Sequence, residues 1–410
     1  MTGYRAGEPG YRRVVLALFA AGVATFALLY STQAVLPELA AAFRVTPAQS
    51  SWSLSLATIG LGLTLLVTGP LSERIGRTRL IHLSLTLSGL AGLACAAAPG
   101  WHALLMLRLV QGVTLAGLPA VATAYLREEL HAETHARAAG LYIGGTALGG
   151  MAGRLISGGV AEVLGWRWAL AAVALVGLGC AAVVAVLLPA SRNFVARPTA
   201  AMTRRALTDP ALLLLYAIGA CAMGAFVSVY NAIGFRLTSA PLSLGAGAIG
   251  AVFLVYPLGT VSSALAGRLA DRYGRRAVLP FGCALTGIGL LLTLPDRLPV
   301  VIAGLAVMTA GFFVVHGVAS GWVPARAHLG DVPAGQAASL YLVAYYAGSS
   351  VFGSLAGAAW TLGAWPAVVL LAAAFVALTG LLATSLRRIP ALAPTPRSTT
   401  TAAAATGSPR

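Results

Sequence analysis

Twelve apolar runs, each close to the ~20 residues a helix needs to cross a hydrocarbon core, take up most of this chain. They lie at about 14–36, 50–71, 80–98, 102–125, 138–161, 168–188, 211–235, 246–268, 277–295, 299–323, 336–360 and 365–386. In lipid the backbone must satisfy its own N–H and C=O groups, so runs of this length fold as helices. The breaks between them are mostly short, which makes neighbouring helices antiparallel. Of the 410 residues 58% are hydrophobic and 9% charged, where soluble domains carry about 25% charged residues. These constraints predict an all-α polytopic membrane protein of twelve transmembrane helices.

Within that array one loop occurs twice. G-P-L-S-E-R-I-G-R-T-R, Gly69 to Arg79, returns as G-R-L-A-D-R-Y-G-R-R, Gly267 to Arg276. Gly69, Glu73, Arg74, Gly76 and Arg77 align with Gly267, Asp271, Arg272, Gly274 and Arg275 at a constant offset of 198. The pentapeptide A-A-G-L-Y, Ala138 to Tyr142, returns as A-A-S-L-Y, Ala337 to Tyr341, at an offset of 199. Two copies in register point to a duplicated half-chain, and so to two six-helix bundles related by a pseudo-two-fold axis. The expected divisions are an N-terminal segment 1–13, a first bundle 14–188, a linker 189–210, a second bundle 211–386 and a disordered tail 387–410. Gly76 and Gly274 permit the tight turn that joins antiparallel helices. The neighbouring acid, Glu73 or Asp271, can pair with the arginines differently in two conformations, so both loops read as gating latches. Asp209-Pro210 reads as the N-cap and first residue of the seventh helix. Pro119 and Pro257 read as kinks.

The chain carries 27 basic residues, all arginine, and a net charge of +16. They are spread through short loops instead of gathering on one face, which argues against nucleic acid as a partner. The termini and alternate loops hold 21 of them and the intervening loops hold 4, which places both termini and both repeated loops in the cytoplasm. Trp52, Trp101, Trp166, Trp168, Trp360 and Trp365 fall at the opposite ends of the runs and read as an interfacial belt. The four cysteines sit inside apolar runs without disulfide or metal-ligand spacing, so no metal and no cofactor are expected.

Arg108, Arg154 and His316 are the ionisable groups placed within the runs. A charge there costs at least ~2.5 kcal/mol, so each must face the protein interior or water. Both arginines fall roughly 10–12 Å below the surface opposite the repeated loops. Each has two readings: it bonds backbone carbonyls or snorkels, or it holds an anionic group and shifts a nearby proton's affinity. No carboxylate lies in the middle of a run; Glu38, at the end of the first, is the acid available. The repeat gives Arg108 no counterpart, residue 306 being Ala, which favours a task for it. His316, with an ordinary pKa of ~6.5, is the best proton acceptor within the membrane. Tyr30, Gln33, Gln111, Tyr142, Tyr230, Asn231, Tyr341, Tyr345 and Tyr346 are polar or aromatic groups at membrane depth. Each alone suits packing; together they suit a cavity for a mixed apolar–polar small molecule.

The repeated G-x-L-[SA]-[DE]-R-x-G-R pattern resembles the loop signature of the major facilitator superfamily of transporters, and with the repeat the resemblance covers nearly the whole chain. R-L-V-Q-G, Arg108 to Gly112, resembles the fourth-helix signature of that family's drug exporters, where the arginine is associated with proton coupling. G-L-Y-I-G-G-T-A-L-G-G-M-A-G-R, Gly140 to Arg154, resembles their glycine-rich fifth-helix signature. It departs at two positions: Gly150 stands where the signature has Pro, and Arg154 replaces a Gly. Gly140, Gly144, Gly145, Gly149, Gly150 and Gly153 would let another helix approach closely. The resemblance implies a monomeric secondary transporter in the lipid bilayer that exports a small-molecule substrate against protons by alternating access, with spans 1, 5, 7 and 11 on the central cavity. An importer or facilitator of a metabolite is the alternative. A membrane-embedded enzyme or receptor finds no support, since the chain offers no Ser/His/Asp set, metal spacing or phosphate-binding glycine loop.

Overall fold

Each apolar run becomes a helix or a helix pair. The computed structural model describes residues 3–194 and 203–389. The first bundle comprises α1 (Pro9–Tyr30), α2 (Leu36–Phe43), α3 (Pro47–Ile75), α4 (Arg77–Ala96), α5 (Trp101–Leu115), α6 (Gly117–Glu129), α7 (His135–Leu164) and α8 (Trp166–Leu187). A short α9 (Arg204–Thr208) precedes the second, made of α10 (Pro210–Thr238), α11 (Ala246–Val252), α12 (Pro257–Tyr273), α13 (Arg275–Leu292), α14 (Leu298–Leu329) and α15 (Ala334–Ser385). Helices α1 and α2 form one span through a 3-10 turn at Gln33–Val35; α5 and α6 form another, and α11 and α12 a third through Phe253–Val255. Gly363 and Ala364 leave helical geometry inside α15 and divide it into two arms, which are spans 11 and 12. Among the described residues ten stretches are long and apolar enough to cross a membrane; α15 supplies two spans within one stretch, and glycines dilute the hydropathy of α7. The tail beyond Ile389 and linker residues 195–202 lie outside the described residues.

Local chemistry sets the breaks. Pro257 opens α12, and α5 stops at Leu115, four residues before Pro119. Asp209 caps α10, its Oδ1 accepting the Leu212 N–H at 2.9 Å. Arg326 of α14 clamps the same carboxylate at 2.8 Å. The repeat is visible in the backbone: Gly76 (φ 89, ψ 151) separates α3 from α4, and Gly274 (φ 83, ψ 144) separates α12 from α13. Both angles lie where a side chain is strained, which is why each copy keeps glycine.

The glycine stripe of α7 divides by face. Gly145, Gly149 and Gly153 lie against the backbone of Phe19, Val23 and Ala27 on α1; a Cβ at Gly149 would stand 2.3 Å from the Val23 carbonyl oxygen. Gly140 and Gly144 meet nothing within 4 Å, and Gly150 faces the Arg154 side chain, so half of the expected stripe packs a helix. The tryptophan belt is also corrected. Trp166 and Trp365 are 9% and 4% exposed. Phe43 packs between Trp101 and Trp166, and the Trp365 indole donates to the Thr293 carbonyl at 3.0 Å. Trp52 and Trp168, 43% and 63% exposed, retain the exposure a belt requires. Trp101 and Trp360 are half-buried, so the burial is confined to Trp166 and Trp365, which sit beside the turns at Gly165 and Gly363.

Candidate gating and substrate site

Two seams join the bundles: α3 against the first arm of α15, and α7 against α11. At the end away from the repeated loops both are tight. Gly357 admits the backbone of Ala48, where a Cβ would come within 2.3 Å. Moving inward, the Ser55 and Ser354 hydroxyls meet at 2.8 Å and those of Thr58 and Ser350 at 2.7 Å; Tyr346 then packs on Gly62. On the second seam Gly158 packs on Ala246 and Gly250, and Glu162 Oε2 accepts the Gly247 N–H at 2.9 Å. Toward the loops the cover falls away. Leu66 and Val67 of α3 are 38% and 63% exposed. Gly69, Gly140, Gly144 and Gly267 meet nothing within 4 Å. The bundles are pressed together at the far end and diverge toward the loops.

The two-fold axis passes between Gln33 and Asn231. Gln33 Nε2 donates to Asn231 Oδ1 at 2.7 Å, and the two residues are 198 apart, the register of the repeated loops. Gln33 Oε1 accepts from Arg154 Nε at 2.6 Å, while Asn231 Nδ2 donates to the Gly353 carbonyl at 3.2 Å. Arg154 and Gly353 stand 199 apart, the offset of the pentapeptide in the same pair of helices. The hydrogen-bond network thus follows the repeat, with a cation on one side only.

Arg108 and Arg154 differ in what they face. Arg154, 1% exposed, also donates to the Gly150 carbonyl at 2.5 Å, and its guanidinium lies over the rings of Tyr30, Tyr256 and Phe253 at 4.1, 4.5 and 4.8 Å. Arg108, 0% exposed, donates to the carbonyls of Ser53, Leu28 and Leu29 at 2.8, 3.1 and 2.6 Å and to Gln111 Oε1 at 2.5 Å. Gln111 donates in turn to the Ser88 carbonyl at 3.1 Å. Arg108 therefore takes the carbonyl-bonding alternative, and Gln111, expected on the cavity, serves it inside the first bundle. Glu38 is half-buried near Glu162 at the far rim and bonds neither arginine.

Between the bundles the remaining candidates form an aromatic wall. His316 Nδ1 is 2.9 Å from the Tyr341 hydroxyl, and its ring lies 4.8 Å from that of Tyr345. Tyr345 meets Tyr346 edge to face at 5.3 Å, Tyr346 packs on Gly62 across the seam, and Tyr142 is buried on α7. Tyr230 is withdrawn: fully buried, it bonds Thr309 at 2.7 Å inside the second bundle. The sequence reading missed Tyr256 and Phe253, whose signal was two aromatic residues just ahead of Pro257, where a helix must break.

The latches are asymmetric. Arg77, 8% exposed, ties the first loop together by bonding Glu73 at 2.5 Å, Glu128 of α6 at 3.2 Å and the Ser72 hydroxyl. Arg74, Asp271 and Arg272 are exposed, Arg275 is half-exposed, and among the described residues Asp271 has no ion pair. The Glu73–Arg77 contact stays within one bundle, as expected of a loop end where the bundles have parted.

Two repeat-related helical bundles, sealed at one end around a buried cation and parted at the other, define a two-bundle membrane transporter. The chain belongs to the Major Facilitator Superfamily, whose model matches residues 15–264 and 242–408. It is 42% identical over 389 residues to the inner membrane transport protein YnfM of Escherichia coli K12, covering 93% of this chain and 92% of that protein. It is 40% identical over 374 residues to the uncharacterised MFS-type transporter YybF of Bacillus subtilis 168, covering 90% and 92%. Among solved structures, a bacterial homologue of the human lysosomal transporter Spinster, inward-facing and occupied, matches with a TM-score of 0.77 at 15% identity, over 93% of this chain and 98% of that one.

Proposed function

We propose that this chain is a monomeric secondary active transporter of the bacterial inner membrane that exports small organic compounds by alternating access, coupled to proton influx. Both termini and both repeated loops lie in the cytoplasm in this reading, so the described conformation is open to the inside. The observation that carries it is the pair of seams, tight at the far end and parted toward the loops around one axis. A protein built this way exposes a central site to either side by rocking one bundle on the other. The inner-membrane location draws on the name of the E. coli relative.

His316 is the proton acceptor in this reading, since it opens on the aromatic wall and bonds the phenol of Tyr341. The test is substrate efflux and uptake by purified protein in vesicles, across a compound panel, with a pH gradient imposed. Movement against the compound's own gradient, driven by the pH gradient and lost in His316→Gln with the fold retained, is the expected result. Coupling that survives in His316→Gln removes His316 from the mechanism. One observation favours a second reading, import or facilitation without protons: among the described residues neither Arg108 nor Arg154 has a carboxylate partner whose protonation would release it. Flux that continues unchanged after the pH gradient is collapsed would establish that reading.

A further inference from the structure

We propose that Arg154 is the charge that selects the substrate, and that the compounds carried are small organic monoanions, carboxylates on an aromatic or apolar body. This rests on the alternating-access part of the reading above and not on the direction of transport. Ownership of the groups around Arg154 decides the matter. Tyr30, Gln33 and Gly150 belong to the same bundle as Arg154, whereas Phe253 and Tyr256 belong to the other. Parting the bundles at the far end removes two of the three rings and takes Asn231 away from Gln33. What remains is a guanidinium held by one amide and one carbonyl, with an uncovered face on the cleft.

A cation in that position is costly without a counter-ion, and among the described residues none is ion-paired to it. An entering carboxylate supplies the missing charge and matches the planar fork of donors. A neutral compound of the same shape leaves the charge uncovered, and a cation is repelled. Tyr345 and Tyr346 then offer apolar faces to the body of the compound. Arg108 cannot take this role, because the carbonyls of α1 and α3 hold its guanidinium inside the first bundle.

The experiment titrates the purified full-length protein in lipid nanodiscs with benzoate, benzamide and benzylamine, which share a shape and differ in charge, and follows thermal unfolding. Benzoate should stabilise saturably and bind about tenfold or more tighter than benzamide, with no response to benzylamine. Arg154→Gln should abolish the preference, so that benzoate and benzamide act alike, and Arg154→Lys should keep its sign. Tyr256→Leu removes a ring that competes for the guanidinium, keeps the charge, and should tighten benzoate. Equal responses to the three compounds in the unsubstituted protein, or a preference that survives Arg154→Gln, overturn the assignment. If Arg154→Gln does not fold, Tyr256→Leu decides: benzoate binding that is unchanged or weaker overturns it as well. Because the readout is binding, a charge preference without any vesicle transport sinks the transporter reading alone. Transport of neutral compounds without a charge preference sinks this inference alone.

Discussion

Replacing Gln33 by leucine probes the seam at its axis. Gln33→Leu nearly conserves volume but deletes the acceptor for Arg154 Nε at 2.6 Å and the donor to Asn231 Oδ1 at 2.7 Å. Both partners are buried, and a polar group orphaned in that way costs about 1–3 kcal/mol, more when charged. Once the bundles part at this end, water reaches both groups, so the cost falls on the sealed state alone. Taking the low end for each, about 2 kcal/mol, the equilibrium moves about thirtyfold toward the parted state. Ser55→Cys is the reporter: Ser55 is 7% exposed and sealed against Ser354. The background replaces Cys95, Cys180, Cys221 and Cys283 by alanine, and a membrane-impermeant maleimide is applied from the far side. While the parted fraction is small the labelling rate follows it, so Gln33→Leu should label at least about tenfold faster than the reporter alone. An unchanged rate in a protein that still elutes as a single folded species would refute the claim that the axis pair holds the seam shut.

Three further outcomes follow from the packing and the charges. Gly149→Leu drives a side chain into the Val23 carbonyl and should yield little folded protein by size-exclusion chromatography, whereas Gly144→Ala, with open space around it, should purify normally. Arg108→Lys lacks the planar fork and leaves carbonyls of α1 and α3 without a donor, so it should lower thermal stability and activity together; full stability would contradict the structural role given to Arg108. Burial pushes the Asp209 carboxyl up, but hydrogen bonds from Arg326 and from the Leu212 N–H outweigh it and hold the group below its ordinary value. Its stabilisation is therefore present above the unfolded-state pKa of about 3.9 and lost as pH falls through the lower folded value, so the thermal deficit of Asp209→Asn at pH 7 should shrink on acidification below about pH 4.

The spans and the repeat were legible because they depend on periods and lengths that a one-dimensional string preserves. The breaks near Pro119 and Pro257, the Asp209 cap and the paired glycines at 76 and 274 were legible for the same reason, each being a local backbone constraint. Arg108 and Gln111 went the other way. Sequence places an arginine at a depth but not on a face, and a fraction of a turn separates the cleft from the carbonyls of α1. Trp365 was misjudged because its partner, Thr293, comes from a loop 72 residues away. The Gln33–Asn231 contact was available in principle. Both residues were recognised as polar groups at membrane depth, and their spacing equals the repeat offset, so the duplication alone aligns them.

That coincidence limits which side chains can occupy the spot. A group lying on a two-fold axis faces its own image, and it must be able to bond a copy of itself. Carboxylates repel their reflection, as do guanidinium and ammonium groups, whereas a carboxamide carries a donor and an acceptor at once. Gln33 and Asn231 differ by a methylene yet keep that reciprocity. A half-length ancestor pairing with an identical twin would have faced the same restriction, and a change at either locus today calls for an answering change 198 positions along the chain.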